Sequence, residues 1–477
     1  MDSTTSYVLL LGTLAFFGYV GYTAAAEQEM DSDTYLSARG SQSWVRIGLS
    51  LFASGMGVWI LFGPSEVGYF GGFWDVVGYA LSSATPFLLL AYVGPLIREQ
   101  LPDGITLADY VAKRLGRPMQ AYVGIISVLY MFTFLFAEFT AIGKGMDILT
   151  GMEPLVPMAA VAIVTAAYTA YGGLPASLQT DRFQAWMILW LAIALLLILL
   201  GTDLGQLIDD AKAYNPEDEW SIGSMSYMDS FKSGLALVVA ITAAEMFSQG
   251  NWQRAWASEN DEALRKGAVM ASALVLPLVL FMGFLGTVVA GRGAAADPSA
   301  AFFYLIEDAG SLLIAAFVVL SVALVCSSAD TLQNAIVASL ACDLSDGRMG
   351  LSQARAATIA VIPVAIYFAS TMDALSVFKI FLFADLLATA TVAPVLLTLW
   401  PTTSSRGALV GAVSGLASVV AYGTVTSDLS TGLGYLISPT NEIGLANLGV
   451  FLSALIGSAV VTVAGSYALP DEVFHGQ

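Results

Sequence analysis

Four carboxylates, Glu138, Glu245, Asp330 and Asp385, stand inside otherwise apolar runs of this chain. An acid in a stretch long enough to cross a bilayer is costly to desolvate and usually has a use, such as holding a cation or a polar neighbour. Adjacent Ser327 and Ser328, in LVCSSADTLQN, offer two hydroxyl oxygens on neighbouring helix positions. A hard monovalent cation takes several neutral oxygens, so this pair facing free carbonyls would suit sodium. The plainer alternative is a serine bonding back to the carbonyl four residues earlier. Asp181 lies near an inner helix end, where an acid also suits the helix dipole. The one histidine, His475, is in the tail, which speaks against histidine catalysis and His-ligated metal. A serine nucleophile has no histidine or lysine partner nearby. Cys326 and Cys342 lie in apolar sequence, predicting buried free thiols and no disulfide framework.

The free carbonyls would come from residues 44–72, WVRIGLSLFASGMGVWILFGPSEVGYFGG. This run is long enough to span a bilayer, but Ser54, Gly55, Gly57 and Pro64 disturb its helix. In lipid, unpaired backbone groups are tolerated only against protein or a wet cavity. Such a break commonly holds ions and substrate at the midplane, although a glycine-rich packing face reads similarly. A second interrupted run covers 229–251, where Thr242, Glu245, Ser248, Gln249 and Gly250 interrupt apolar sequence.

Composition agrees with a membrane protein: 57% of the 477 residues are hydrophobic and 12% charged, where a soluble chain carries about 25%. The apolar runs are continuous, so the fold class is all-α and polytopic rather than a barrel. Thirteen spans are expected, at 5–26, 45–72, 75–96, 119–146, 155–172, 176–202, 229–251, 264–291, 310–343, 354–370, 373–400, 407–427 and 443–468. The first lacks a basic n-region and reads as a retained span rather than a cleaved signal. Lysine and arginine favour the cytoplasm. An outside N-terminus leaves only Lys144, Lys212, Lys232, Arg292 and Lys379, of 18 basic residues, on the outer side, and places the C-terminus inside. Arg254 reads as one of the inner anchors. The net charge of −19 sits mostly in loops and argues against nucleic acid as a partner. The acidic stretch near 203–228, with Asp209, Asp210, Glu217, Asp218 and Glu219, separates two groups of five spans. Five is odd, so the groups start on opposite faces, the geometry of an inverted repeat. The reading is one transmembrane domain over 1–477: an accessory span at 5–26, repeats at 45–202 and 229–400, and accessory spans within 407–468.

YTAYGGLPASLQTDRFQAW at 168–186, TYLSARG at 34–40, TLADYVAKRLG at 106–116, QRAWAS at 253–258 and SSADTLQNA at 327–335 together resemble the sodium:solute symporter family. The resemblance implies a LeuT-type fold of two inverted five-helix repeats plus flanking spans, here about 13 helices. It implies a multi-pass cell-membrane carrier, not an enzyme, that uses sodium as coupling ion with no cofactor. The family's main sodium site falls on the carbonyls of Ala53, Met56 and Leu324 and the hydroxyls of Ser327 and Ser328. The aspartate that several members use in sodium coupling falls on Asp181.

The substrate position is expected at Gly55, Trp59, Glu138, Glu245 and Gln249. Proline carriers of the family have an aspartate where this chain has Gly55, and their aromatic contacts fall on Ile241 and Glu245. Those departures speak against proline. QGNWQRAWAS is closer to the urea and polyamine carriers. The expected function is sodium-coupled import of a small organic solute (an amino acid, amine or related polar metabolite) by alternating access. Sugar or urea/polyamine symport within the family is the nearer alternative. A membrane solute sensor is the alternative from another class, and the nine or so residues after the last span speak against its signalling domain.

Overall fold

The structure, a computed structural model, describes residues 3–26, 29–200, 204–213, 227–293, 295–306, 310–345, 347–372 and 376–471, without the side chains of 191, 194, 195 and 197–200. Glu217, Asp218, Glu219, His475, the end of the predicted span 176–202 and the start of 373–400 lie outside the described residues.

The chain runs through α1 (Ser3–Ala26), α2 (Ser32–Ser37), α3 (Trp44–Gly55), a short 3-10 turn (Val58–Leu61), α4 (Gly63–Gly71), α5 (Phe73–Gln100), α6 (Leu107–Thr150), α7 (Leu155–Leu200), α8 (Leu204–Ala213) and α9 (Met228–Glu245). It continues with α10 (Gln249–Ala257), α11 (Asp261–Arg292), α12 (Ser311–Ala338), α13 (Leu351–Thr371), α14 (Val377–Leu396), α15 (Ser405–Thr426), α16 (Leu429–Gly434) and α17 (Leu448–Ala468). Ten of the described helices are long and apolar enough to cross a membrane, and two bent pairs bring the number to twelve. At 46 residues α7 is about 69 Å long, more than twice a hydrocarbon core of about 30 Å. It changes course at Gly173, whose φ of 55° and ψ of −146° suit glycine alone, so it makes two passes. Counted so, the described helices give about the number of spans expected from the sequence. The aromatic ring of Tyr35, from TYLSARG, packs on Gly173, and its hydroxyl bonds Thr169 and Thr358.

Both predicted interruptions are present as bends of 55° between α3 and α4 and 57° between α9 and α10. Their positions differ from the sequence expectation. Gly55 is still helical; the chain leaves the helix at Met56 (φ −103°, ψ 79°) and Gly57 (φ −76°, ψ 177°). Pro64 does not break anything. It begins α4, where the first turn needs no backbone donor. In the second break, Thr242 and Glu245 remain in α9, and extended Ser248 (φ −71°, ψ 95°) makes the interruption.

The interior is built around α12, buried continuously from Leu320 to Ala338, and around α10, buried in all nine residues. The most apolar stretches of α1, α13, α15 and α17 are at most 33% buried, which puts these helices at the periphery. Small residues bring several pairs of helices into backbone contact. A side chain added at Gly78 of α5 would strike Gly234 of α9; one at Gly68 of α4 would strike Gly283 of α11, and one at Gly286 of α11 would strike Ser65. At one end of the bundle, Arg39 donates to the carbonyls of Pro102 and Gly104, Arg98 to Ser258, Arg114 to Thr398, Arg117 to Leu344 and Arg355 to Tyr171. The basic loop ends are thus gathered on one side. Cys326 is buried; Cys342, contrary to expectation, is partly exposed, and both are free thiols.

Candidate functional site

Between the two breaks lies a cavity. Its wall takes Ser54, Gly55 and Trp59 from the first break, Glu245, Ser248 and Asn251 from the second, Glu138 from α6, Ser328 from α12 and Asp385 from α14. Tyr79, Phe87, Tyr130, Phe134, Phe378 and Phe381 supply an aromatic lining. Among the lining residues none is basic. Gly55 must be small because a Cβ there would come within 2.7 Å of the Phe87 ring.

The two cavity glutamates are held differently. Glu138 reaches across to the first break and accepts from the backbone N–H of Val58 at 2.8 Å and, more weakly, of Trp59 at 3.4 Å. Those N–H groups open the 3-10 turn and have no earlier carbonyl in helical register, so the carboxylate caps them. Gly57 leaves the room, since any side chain there would collide with the Glu138 carboxylate. Glu245 ends α9 and accepts from the Tyr130 hydroxyl at 2.7 Å and from the Asn251 amide at 2.8 Å. Tyr130 and Glu138 are eight residues apart on α6, about 12 Å along its axis. One helix therefore holds both breaks. Asp385 is buried, and its Oδ1 has no hydrogen-bond partner among the described residues.

Of the predicted substrate residues, Gly55, Trp59, Glu138 and Glu245 line the cavity together. Gln249 does not. It is fully buried, accepting from the Leu107 N–H at 2.8 Å and donating to Ser127 at 2.8 Å, so both ends of its amide tie α10 to α6.

Among the predicted sodium residues, Ala53, Met56 and Leu324 are buried beside the first break and α12. Ser328 lies against that break, its hydroxyl 3.4 Å from the Ser54 carbonyl. The Ala53 carbonyl already accepts from Met56 N–H at 3.2 Å and keeps one lone pair free. Ser327 donates to Asp181 at 2.6 Å.

Asp181 corrects the expectation of a solvated acid at a helix end. It is fully buried, and Arg254, expected as an interfacial anchor, is fully buried against it at 2.6 Å. Ser50 of α3 donates to the same carboxylate oxygen at 2.5 Å. The guanidinium also donates to Ser50, to Thr331 of α12 and to the Gly250 carbonyl. Every side of the ion pair is therefore met by a hydrogen bond, which is what a buried pair requires. One turn further along α12, Asp330 accepts from Tyr168 (2.5 Å), Ser177 (2.7 Å) and Thr180 (3.0 Å), so the YTAYGGLPASLQTD motif closes on SSADT.

Sequence reasoning left Ser50, Tyr130, Asn251 and the aromatic lining out of the site, and noted Asp385 only as a deep acid. It also missed Glu66 and Asp75, acids at the ends of apolar runs that the packing buries. Their signal was the glycine density around them: Gly71 has no room for a side chain beside Asp75.

A sequence profile of the sodium:solute symporter family matches residues 35–415. The spermidine transporter DUR31 of Candida albicans is 27% identical over 97% of this chain and 88% of its own length. Sodium/glucose cotransporter 4 of Mus musculus is 32% identical over 35% of this chain and 24% of its own. A solved Na+-coupled sialic acid symporter, in a substrate-bound outward-open state, superposes with a TM-score of 0.76 at 15% identity, covering 97% of this chain and 98% of its own. The architecture is the LeuT-type fold, the protein is a multi-pass membrane transporter rather than an enzyme, and the chain belongs to the sodium:solute symporter family.

Proposed function

We propose that the protein is a sodium-coupled symporter of cationic amines. The observation that carries this reading is the cavity: Glu138, Glu245 and Asp385 line it and no basic side chain does. Buried carboxylates need compensating donors or cations, and here the protein supplies only part of them. An ammonium group complements both the carboxylates and the faces of Trp59, Tyr79 and Tyr130, where cation–π attraction adds to Coulomb attraction. A substrate with more than one amine would use more than one carboxylate. The likeness to a spermidine transporter along nearly the whole chain supports the same class. A sugar would leave Asp385 with no charged partner.

Sodium, in this reading, binds where α12 meets the first break, on the carbonyls of Ala53, Met56 and Leu324 and the hydroxyls of Ser327 and Ser328. A hydroxyl that donates to a carboxylate still offers lone pairs to a cation. Asp181 therefore acts from behind Ser327, its own oxygens being taken by Ser50, Ser327 and Arg254. The repeats are 45–202 and 229–400, each opening with a broken span. The basic end of the bundle faces the cytoplasm of the cell, with the N-terminus outside, as the positive-inside rule requires.

Proteoliposome uptake tests this directly, with spermidine, proline and glucose offered in sodium and in potassium. Sodium-dependent spermidine uptake is expected, with Ser327→Ala plus Ser328→Ala raising the sodium concentration for half-maximal rate. Equal uptake in the two salts removes sodium coupling; uptake of glucose or proline in place of the amine removes the substrate class.

A further inference from the structure

Outside the central cavity, two recesses each take part of their wall from α1 and from the second half of α7. The first is polar, and its wall includes Thr23, Asp33, Arg39, Arg46, Gln179 and Arg182. The second is apolar, walled by Phe16, Phe183, Trp186, Met187, Trp190 and Val319. On α7, positions 179, 182, 183, 186 and 190 follow the three- and four-residue spacing of a single helical stripe. Phe16 and Thr23 are likewise two turns apart on α1. Taken together the recesses mark out a track along one stripe of α7 beside α1, and eight residues from Arg182 to Trp190 give it about 12 Å of length beyond the arginines.

Charge is unequal at the polar end. Asp33 is paired with Arg39 at 3.0 Å. Arg46 and Arg182 are exposed and have no carboxylate partner among the described residues. The apolar end is open: Phe183 is 38% exposed, Trp186 49% and Trp190 65%. Tryptophan is at home at the membrane interface, and a guanidinium fits phosphate through two parallel hydrogen bonds. Basic recesses between membrane helices receive anionic headgroups.

We propose that this track binds one anionic phospholipid, its phosphate on Arg46 and Arg182 and an acyl chain along Phe16, Phe183, Trp186 and Trp190. Neither arginine touches the solute cavity, so the site is separate from transport chemistry. The lipid joins α1, which precedes the repeats, to the second pass of α7.

The full chain is reconstituted in phosphatidylcholine vesicles containing increasing amounts of brominated phosphatidylglycerol or brominated phosphatidylcholine, and tryptophan quenching is read. The wild type is expected to be quenched at a lower fraction of the anionic lipid, by roughly fivefold per arginine engaged. Trp186→Phe with Trp190→Phe should remove that extra quenching. Arg46→Gln with Arg182→Gln should abolish the preference while quenching by brominated phosphatidylcholine stays, which reports intact insertion. Arg46→Lys with Arg182→Lys should restore much of it. Equal quenching by the two lipids in the wild type overturns the proposal, as does a preference that survives the glutamine pair. A preference removed by millimolar inorganic phosphate, at an ionic strength where chloride leaves it intact, identifies a free anion as the preferred occupant and overturns the lipid assignment.

Discussion

The two broken spans look alike at low resolution, each a bend of nearly the same angle with a glutamate beside it, yet their glutamates are bound by opposite kinds of partner. Glu138 accepts from backbone N–H groups, which can only donate. Glu245 accepts from a tyrosine hydroxyl and a side-chain amide. The hydroxyl can reverse its polarity and the amide can turn over. The first break is therefore fixed by its carboxylate, whereas the partners of the second can turn, which under the proposed function would let Glu245 meet a solute. Sequence position does not distinguish them; the chemistry of the donor does.

The largest effect is expected where the two breaks are joined. Arg254, in the second half of the second break, donates to Ser50 in the first half of the first. Arg254→Ala leaves Asp181 buried without its cation, a loss of about 3–5 kcal/mol. Thermal unfolding in detergent should show it, together with a marked fall in inserted protein. A normal unfolding temperature would mean that the pair does not brace the breaks.

Next in size is Glu245→Gln. Tyr130 can accept from the new amide while Asn251 still donates to its oxygen, so the fold should tolerate it. Binding of an amine should weaken by roughly ten- to a hundredfold, the loss of a charge-assisted hydrogen bond of about 1.5–3 kcal/mol. Sodium affinity should stay close to wild type. Unchanged amine affinity would place Glu245 in the packing.

The smallest is Glu138→Gln, which should act on stability first. One amide oxygen can keep Val58, but the amide nitrogen would then face the Trp59 N–H, donor against donor. A cost of about 1–3 kcal/mol in unfolding free energy is expected. Should this variant instead lose amine affinity at full stability, the two breaks would be equivalent and the contrast would fail.

Most of the architecture was legible because lipid imposes it: continuous apolar runs, basic loop ends and glycine at the breaks all follow from the solvent. The detail of each break was less so. Pro64 looked disruptive but sits where a helix welcomes proline, and nothing in the Met56 side chain marked it, among its disturbed neighbours, as the residue where the helix ends. The Arg254–Asp181 pair was hidden because the residues lie 73 positions apart, each at what resembles a loop boundary. Gln249 looked like a binding residue, having the polar type and the right span, yet a helix in tight quarters needed its amide for bracing. The aromatic lining could not be told from lipid-facing phenylalanines, because both are apolar side chains on membrane helices.

The glycine contacts among α4, α5, α9 and α11 have a mechanical meaning. Where backbone rests on backbone, no rotamer can absorb a displacement, and sliding by even a fraction of a residue brings hard atoms together. Helices paired in this way, α5 with α9 and α4 with α11, move together. A gap that opens and closes to admit a solute must slip instead along seams filled by flexible side chains, and α6, which meets both breaks through a carboxylate and a hydroxyl, lies on such a seam. Gly48 of α3 and Gly267 of α11 meet in the same way, so both halves of the first break rest on α11, while Gly78 and Gly234 tie the first half of the second break to α5.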